Sequence, residues 1–261
     1  MYDLAALEAA LKGSIFARNV HYFNSTGSTN TNAMEAAGAG AANGSVYLAD
    51  EQTAGRGRGD HQWESAAGQG LYVSVLLRLG LPVAHLSVVP LAAGLAAANA
   101  IATATALKID LRWPNDLLIG RRKVGGILVE SRTERGELAF VVIGIGINVH
   151  QRDFSPALST PATSLDIETG RAISRQSLLI ALLESLQRET SMLHDPAVVA
   201  VTPSLFALHS TWLWNREVEV HGPQACTGIT DGLDEHGFLR VRTAQGLVIV
   251  QTGGIRAAET A

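Results

Sequence analysis

The 261-residue sequence has little cysteine, little positive charge and no sign of an export signal. Its single cysteine, Cys226, cannot form an internal disulfide or a cysteine metal cluster. The formal net charge of -4 argues against a dedicated nucleic-acid-binding protein, because such proteins usually present a basic face. Residues 1–13 carry Asp3 and Glu8 among their apolar positions, unlike a signal peptide. We therefore expect a cytoplasmic protein.

Strongly hydrophobic runs are also scarce. The longest apolar stretch, Leu86 to Leu107, contains Pro90, Asn99, several threonines and many alanines, so its hydrophobicity is low. The stretch predicts a buried or amphipathic helix rather than a membrane span. With 47% hydrophobic and 17% charged residues, the chain has an ordinary globular balance, and its length suits one large domain or a large and a small one.

The pattern of polar and apolar residues predicts an α+β fold. Helices are expected after Asp3, from Ser28 or Thr29 through Ala37, and over residues 85–107 and 174–193. Strands are expected at residues 45–50, 71–79, 111–113, 116–119, 123–131 and 138–149, and residues 150–170 are expected to be a loop. Because most of these strands follow one another directly, the sheet should be mixed, largely antiparallel and flanked by helices.

The character of the sequence changes near residue 213. Four short strands, at residues 216–221, 225–231, 237–241 and 247–251, are separated by Gly, Pro and Asp turns. This spacing predicts a small β-barrel. We therefore divide the chain into a domain over residues 1–212 and a small C-terminal domain over residues 213–261.

The most informative segment is Thr53–Gly59, where three glycines alternate with two arginines and Trp63 follows closely. Glycine lets backbone N–H groups approach a ligand, and arginine matches phosphate or carboxylate with a planar fork. A long loop of this kind is rare unless it binds something. The segment predicts an anion cradle that can close over its ligand; the alternatives are a solvated turn or an RG segment that contacts RNA. Gln52 adds an amide that can recognise an amide- or urea-like group.

Two further motifs combine a turn with polar side chains. Gly27-Ser28-Thr29-Asn30 is either a plain helix cap or a helix N-terminus that presents N–H groups to a ligand oxygen. Arg112-Trp113-Pro114-Asn115-Asp116 is either an Asx-turn or a rigid wall that places a carboxylate near cations or Mg²⁺.

Two strand motifs contain glycine. In Lys123-Val124-Gly125-Gly126 the glycines indicate close approach of a ligand, and the lysine charge can stabilise a phosphorus or carbonyl centre; the alternative is a solvated lysine. Gly144-Ile145-Gly146-Ile147-Asn148 is not a dinucleotide-binding motif, because Val149 stands at the third glycine position and no helix signal follows. Asn148 at the strand end can hydrogen-bond an adenine edge.

Together and in this order, the motifs from about residue 25 to 150 resemble the biotin protein ligase family. The resemblance implies a catalytic domain like that of class II synthetases and biotin–lipoate ligases, with an SH3-like C-terminal barrel. It also implies activation of biotin by ATP, with Mg²⁺, to biotinyl-5′-AMP. Biotin would then pass to a lysine of the biotin carboxyl carrier domain of acetyl-CoA carboxylase or a related carboxylase.

The family's functional residues carry over to this chain as three overlapping sets. The biotin-binding set is Ser28, Thr29, Asn30, Gln52, Arg56, Gly57, Arg58 and Lys123. The ATP and adenylate set is Arg56, Trp63, Asn115 and Asn148. The catalytic set is Arg58, Lys123 and Asp116, and Mg²⁺ is expected to bind mainly through the ATP phosphates, with Asp116 as a candidate ligand.

The sequence departs from the family pattern in small ways. Gly27 stands where many members have Asp, and Gly125 where many have Ala. The ligase motifs start near residue 25, so we expect a monofunctional ligase without the winged helix-turn-helix of many bacterial members. It would bind neither DNA nor membrane and would be a monomer or weak homodimer.

Two other functions stay open at this point. A lipoate–protein ligase or octanoyltransferase would share the fold and the acyl chemistry, and an RG-type nucleic-acid-binding protein is a more distant alternative. The pocket distinguishes the first pair: the ureido ring of biotin needs convergent hydrogen bonds from Ser28, Thr29 and Gln52, whereas a lipoyl chain needs a purely apolar tunnel.

Overall fold

The computed structural model describes residues 2–59 and 61–258, which form two β-sheets with six α-helices. The helices are α1 Leu4–Ala10, α2 Thr29–Gly38, α3 Val89–Thr105, α4 Leu165–Thr169, α5 Arg175–Ser191 and α6 Pro196–Leu208, with a 3₁₀ helix at Val83–Val88. The strands are β1 Val20–Phe23, β2 Val46–Ala49, β3 Gly70–Leu77, β4 Asp110–Arg112, β5 Asp116–Ile119, β6 Arg122–Glu134, β7 Glu137–Asn148, β8 Trp214–His221, β9 Cys226–Leu233, β10 Leu239–Thr243, β11 Gly246–Val250 and β12 Gly254–Ala257.

The first sheet has seven strands in the order β1-β2-β3-β7-β6-β5-β4. Its β1–β2 pair is parallel and its other pairs are antiparallel, so the predicted mixed, largely antiparallel sheet is confirmed. Every residue of β3 is buried, because both faces of the sheet are covered. Leu71, Val73 and Val75 belong to the main core with α3 and α5, whereas Leu76 packs in a second cluster with Ala33 of α2.

The apolar stretch near residue 90 forms the central helix of the main core. By length and composition, Val83–Thr105 is the one helical segment of the described chain that passes the test for a membrane span, with a mean hydropathy of 1.7. However, 67% of the 18-residue apolar stretch within this segment is buried inside the fold, where α3 packs against α5 and the first sheet. Burial by other protein segments is what we expect of a core helix.

The second sheet contains β8 to β12 in the order β11-β10-β9-β8-β12, and all its pairs are antiparallel. The predicted small C-terminal β unit is therefore present. Within the described residues no ladder joins β11 to β12, so the sheet keeps two edges and is not closed as a barrel. We propose the domain boundary at residues 212/213, because α6 ends at Leu208 and β8 begins at Trp214.

Several elements differ from the prediction for identifiable reasons. The expected loop at 150–170 contains α4, a single short helix whose N-cap, Ser164, accepts a hydrogen bond from Ile167 N. Helix α6 was not predicted, since it has no charged residue to give a polar face and contains Pro203. Strands β1 and β12 have four residues each, too few for a clear alternation, and pair at sheet edges.

Candidate active site

A cavity of about 560 Å³ lies between the first sheet, the C-terminal sheet and the loop that contains Thr53–Gly59, which we call the glycine–arginine loop. All twelve residues predicted from the sequence line it: Ser28, Thr29, Asn30, Gln52, Arg56, Gly57, Arg58, Trp63, Asn115, Asp116, Lys123 and Asn148. The motifs that are separated in the sequence therefore meet at one place. What each side chain can do there depends on the hydrogen bonds it already makes.

The floor of the cavity is formed by glycines of β6 and β7. Gly126 and Gly146 are paired across the two strands, and the indole of Trp63 lies over them. A Cβ atom at Gly146 would approach Trp63 Nε1 to 2.5 Å, and one at Gly144 would collide with Asn30 Oδ1. The glycines of the Gly144–Asn148 motif thus make room for an aromatic ring and an amide.

One part of the cavity, which we call the polar end, consists of Ser28, Thr29 and Gln52, with Ser65 buried behind Gln52. Gln52 Oε1 accepts hydrogen bonds from Thr29 N at 2.8 Å and Thr29 Oγ1 at 3.0 Å, and its Nε2 donates to Ser65 Oγ at 2.9 Å. Ser28 is the N-cap of α2, but its side chain makes no capping hydrogen bond. Its hydroxyl has no partner among the described residues, so it is free for a ligand.

The glycine–arginine loop folds back on itself as a narrow hairpin. Trp63 N donates to Gly55 O at 2.9 Å, and Gly57 N donates to His61 O at 2.7 Å. The two arginines then reach opposite walls of the cavity. Arg56 Nη2 lies 2.5 Å from Glu130 Oε2 on β6.

Arg58 reaches the C-terminal sheet, where its Nη1 donates to Gly253 O at 2.6 Å. Gly253 has a φ of 134°, and a Cβ atom there would collide with His221 O, so the segment depends on glycine at this position. Burial lowers the pKa of Arg58, while the charge of Asp116 opposes that shift. The contact brings the glycine–arginine loop against the second sheet.

A second part of the cavity is a cationic centre built around Asp116. Arg112 donates to Asp116 Oδ2 from Nε at 3.0 Å and from Nη2 at 2.6 Å, and Lys123 Nζ lies 2.5 Å from Oδ1. Burial alone would raise the pKa of Asp116, but Lys123 and Arg112 outweigh it and hold the pKa below its usual value. Two cations share this carboxylate and Arg58 lies near it, so the region has an excess of positive charge suited to an anion.

Lys123 and Arg112 are also held by aromatic rings. Lys123 Nζ lies 5.4 Å from the centroid of the Trp63 ring, and Arg112 Cζ lies 5.1 Å from that of Trp212. The side chain of Lys123 is 27% exposed, which contradicts the alternative of a fully solvated surface lysine.

Two predicted asparagines already serve the backbone. Asn115 Nδ2 donates to Ile127 O at 2.7 Å, and the buried Asn148 donates from Nδ2 to Thr163 O at 3.0 Å. These bonds hold the turn before β5 and the segment after β7 in place. The side-chain oxygens are the atoms left for other contacts, so the predicted adenylate contacts stay predictions.

Among the charged or titratable residues that line the cavity, sequence reasoning did not name Arg112, His221 and Arg256 as site residues. Arg112 lies inside a motif that the sequence marked, and its spacing of four from Asp116 was a usable signal. His221 and Arg256 come from β8 and β12, far away in sequence. Burial lowers the pKa of His221, and Arg256 and Arg112 shift it the same way. Its Nδ1 is buried without a partner in the described part of the chain.

Comparisons with known proteins decide the family. The model of the biotin/lipoate A/B protein ligase family matches residues 22–148. The bifunctional ligase/repressor BirA of Bacillus subtilis is 32% identical over 249 residues, which cover 94% of this chain and 76% of that protein. The chain belongs to the biotin/lipoate A/B protein ligase family.

Other relatives narrow the kinship to the biotin ligases. A biotin--[acetyl-CoA-carboxylase] ligase of Paracoccus denitrificans is 32% identical, with 86% of this chain and 95% of that protein covered. The biotin protein ligase of Aquifex aeolicus, solved in complex with biotin and ATP, matches with a TM-score of 0.78 at 28% identity, over 92% of this chain and 98% of that one. The predictions of the biotin protein ligase family, of its fold class and of a ligase enzyme are confirmed.

Proposed function

We propose that this ligase activates biotin with ATP to biotinyl-5′-AMP and transfers the biotinyl group to a lysine of a biotin carboxyl carrier domain. One observation carries the proposal: a single cavity contains both a group of hydrogen-bonding side chains and a separate group with excess positive charge. Biotin has a ureido ring at one end and a carboxylate at the other. The polar end supports biotin over the lipoyl alternative, which would need an apolar tunnel.

In the first half-reaction, the biotin carboxylate attacks the α-phosphorus of ATP and pyrophosphate leaves. Both reactants are anions, so their approach is opposed by charge repulsion. We propose that Arg56, Arg58 and Lys123 offset this repulsion and align the carboxylate for in-line attack. The distances of Lys123 and Arg58 from Asp116 and Gly253 support preorganised positions for these charges.

Asp116 then acts through its neighbours. Its two oxygens are occupied by Arg112 and Lys123, so we propose that it holds these cations in place and touches substrate only indirectly. Asp116 therefore stays a residue of the site, but its proposed role is to position the two cations rather than to contact the reacting groups.

In the second half-reaction, the acceptor lysine attacks the acyl carbon of the mixed anhydride and AMP leaves. We propose that Trp63, Asn115 and Asn148 contact the adenylate, as the resemblance implies. The position of Trp63 over the glycine floor, next to Lys123, supports a place between the acyl chain and the nucleotide.

The binding of Mg²⁺ stays a prediction. The side chains fit an ion held by the substrate better than an ion held by the protein. The described residues contain no group of three or more His, Cys, Asp or Glu side chains that could hold a metal ion. Asp116 has both oxygens engaged by cations, which does not suit a metal ligand. We therefore propose that the ion would be held by the ATP phosphates.

The partner and the compartment are proposals as well. The Paracoccus denitrificans relative is named for acetyl-CoA carboxylase, which supports a carboxylase carrier domain as the acceptor. The net charge of -4 supports a protein that does not bind DNA, and the burial of α3 supports one that does not bind a membrane. Both fit the proposed cytoplasmic location. A monomer or weak homodimer also stays a prediction.

Exchange of labelled pyrophosphate into ATP tests the function. Because adenylation is a separable first step, we expect biotin to support exchange without any acceptor protein. Lipoate and octanoate serve as matched controls and should support none. Exchange with lipoate but not with biotin would contradict the proposal.

A further inference from the structure

Glu130, on β6, joins two parts of the site that are far apart in the sequence. Its Oε2 atom accepts a hydrogen bond from Arg56 Nη2 at 2.5 Å and another from Asn30 Nδ2 at 2.8 Å. Arg56 belongs to the glycine–arginine loop, and Asn30 lies in the first turn of α2. No role has so far been assigned to this carboxylate.

On the α2 side, Glu130 is connected to the polar end by buried hydrogen bonds. Asn30 is 4% exposed, and its Oδ1 lies 2.6 Å from Ser74 Oγ. Ser74, itself fully buried, also lies 2.7 Å from Thr29 Oγ1, which donates to Gln52. A continuous series of polar contacts therefore runs from the polar end to Glu130 and ends on the guanidinium of Arg56.

Glu130 is well suited to this position because it faces donors on both sides. An ionised carboxylate is an acceptor only, and both Arg56 Nη2 and Asn30 Nδ2 are donors. The strand places the side chain on the same face of β6 as Gly126 and Leu128, which line the cavity. The bond to Asn30 fixes the carboxylate, and the carboxylate in turn fixes Arg56.

The pair contributes little to stability. The side chains of Arg56 and Glu130 are 45% and 27% exposed, and ion pairs so accessible to water stabilise a fold only weakly. The main consequence of the contact is therefore where it holds the guanidinium. Arginine in a glycine-rich loop is otherwise free to sample many positions, which makes its orientation toward a reacting anion entropically costly.

We propose that Glu130 is a positioning residue for adenylation: it orients Arg56 toward the reacting anions and connects the glycine–arginine loop to the polar end of the cavity. The proposal rests on the proposed function. Glu130 itself would touch neither substrate.

A double-mutant cycle tests the pairing. Glu130→Gln keeps the size of the side chain and removes its charge, and Arg56→Ala removes the guanidinium. We expect each variant to lower the kcat of biotin-dependent pyrophosphate exchange about tenfold, with a smaller change in the KM for biotin, and the double variant to be no worse than either single one. Equal single and double losses are the signature of two residues that act as one unit.

The chain offers a matched control on the C-terminal sheet. Asp231 pairs with Arg240 at 3.0 Å, and the side-chain exposures of 39% for Arg240 and 26% for Asp231 resemble those of the Arg56–Glu130 pair. Asp231→Asn should leave exchange unchanged and should not alter the effect of Arg56→Ala. If Glu130→Gln does not fold, Glu130→Thr, a good strand former, removes the same carboxylate.

Proteolysis provides a readout that does not depend on catalysis. With saturating biotin, trypsin should cut after Arg56 and Arg58 faster in Glu130→Gln than in the unmodified protein, while the Tm values stay equal. If the losses of the two single variants multiply in the double variant, or if cleavage is unchanged, the positioning role is wrong. If the unmodified protein shows no biotin-dependent exchange, the proposed function itself fails.

Discussion

Replacing Lys123 by methionine isolates the charge of this residue from its stem. The methionine side chain keeps most of the aliphatic length that lies beside Trp63 but cannot pair with Asp116. Asp116 retains its two hydrogen bonds from Arg112, so its carboxylate is not left without a partner. We therefore expect the variant to fold, with a free energy of unfolding lower by about 1.5–3 kcal/mol, because a charged hydrogen bond to the largely buried side chain of Asp116 is lost.

The effect on catalysis is separable from the effect on folding, because the exchange rate is measured on the folded variant. Removing one fixed donor aimed at developing charge costs about 3 kcal/mol in comparable sites. That corresponds to a loss of roughly a hundredfold in the rate of adenylation. Lys123 also helps to keep the pKa of Asp116 below 3.8, so its removal should raise that pKa and move the acid limb of the exchange rate to higher pH.

Pyrophosphate exchange with biotin, measured between about pH 4 and pH 8, checks both effects. The exposed Lys108 provides the control, since Lys108→Met changes the net charge by the same amount as Lys123→Met but lies outside the cavity. Thermal unfolding of both variants separates loss of activity from loss of fold. An unchanged exchange rate in Lys123→Met would show that the ion pair with Asp116 is structural only.

Two further predictions concern the cavity floor and the second sheet. Gly146→Ala should displace Trp63 and lower the exchange rate about tenfold, since overpacking costs about 1–3 kcal/mol. Gly27→Ala is the control and should stay active, because no atom lies within 4 Å of its new Cβ. Equal exchange rates for the two variants would contradict the packing of Trp63 over Gly146. The pKa of His221 lies below 6.5 in the folded protein, so below pH 6.5 the unfolded chain binds more protons and the free energy of unfolding falls as the pH is lowered. Denaturant midpoints measured against pH should show this slope weakened in His221→Gln and kept in the control His194→Gln. An unchanged slope in both variants would assign the pH dependence to other groups.

Through their joint resemblance to the biotin protein ligase family, the motifs of the sequence predicted twelve residues that meet in the cavity. Caps and glycines act over a few residues, so Asp3 and Ser174 start their helices as expected. The same holds for the glycine–arginine loop, whose composition already indicated an anion site. These features depend on short-range backbone preferences and on the chemistry of single side chains, both of which are legible in a sequence.

Long-range partners were not predictable in this way. The pairing of Arg56 with Glu130 and of Arg58 with Gly253 joins residues 74 and 195 positions apart, and no local pattern links them. The placement of His221 and Arg256 at the cavity depends on how the C-terminal sheet packs on the first.

The sequence by itself therefore determined the family, the helices and strands with strong periodicity, and twelve of the residues at the site. Only the tertiary structure decided which of those side chains are already engaged by neighbours, that the C-terminal sheet keeps two edges, and that Glu130 connects the loop to the polar end. The physical reason is that a side chain's chemistry is a local property, whereas its hydrogen-bond partner is set by strand register and by the packing of distant elements.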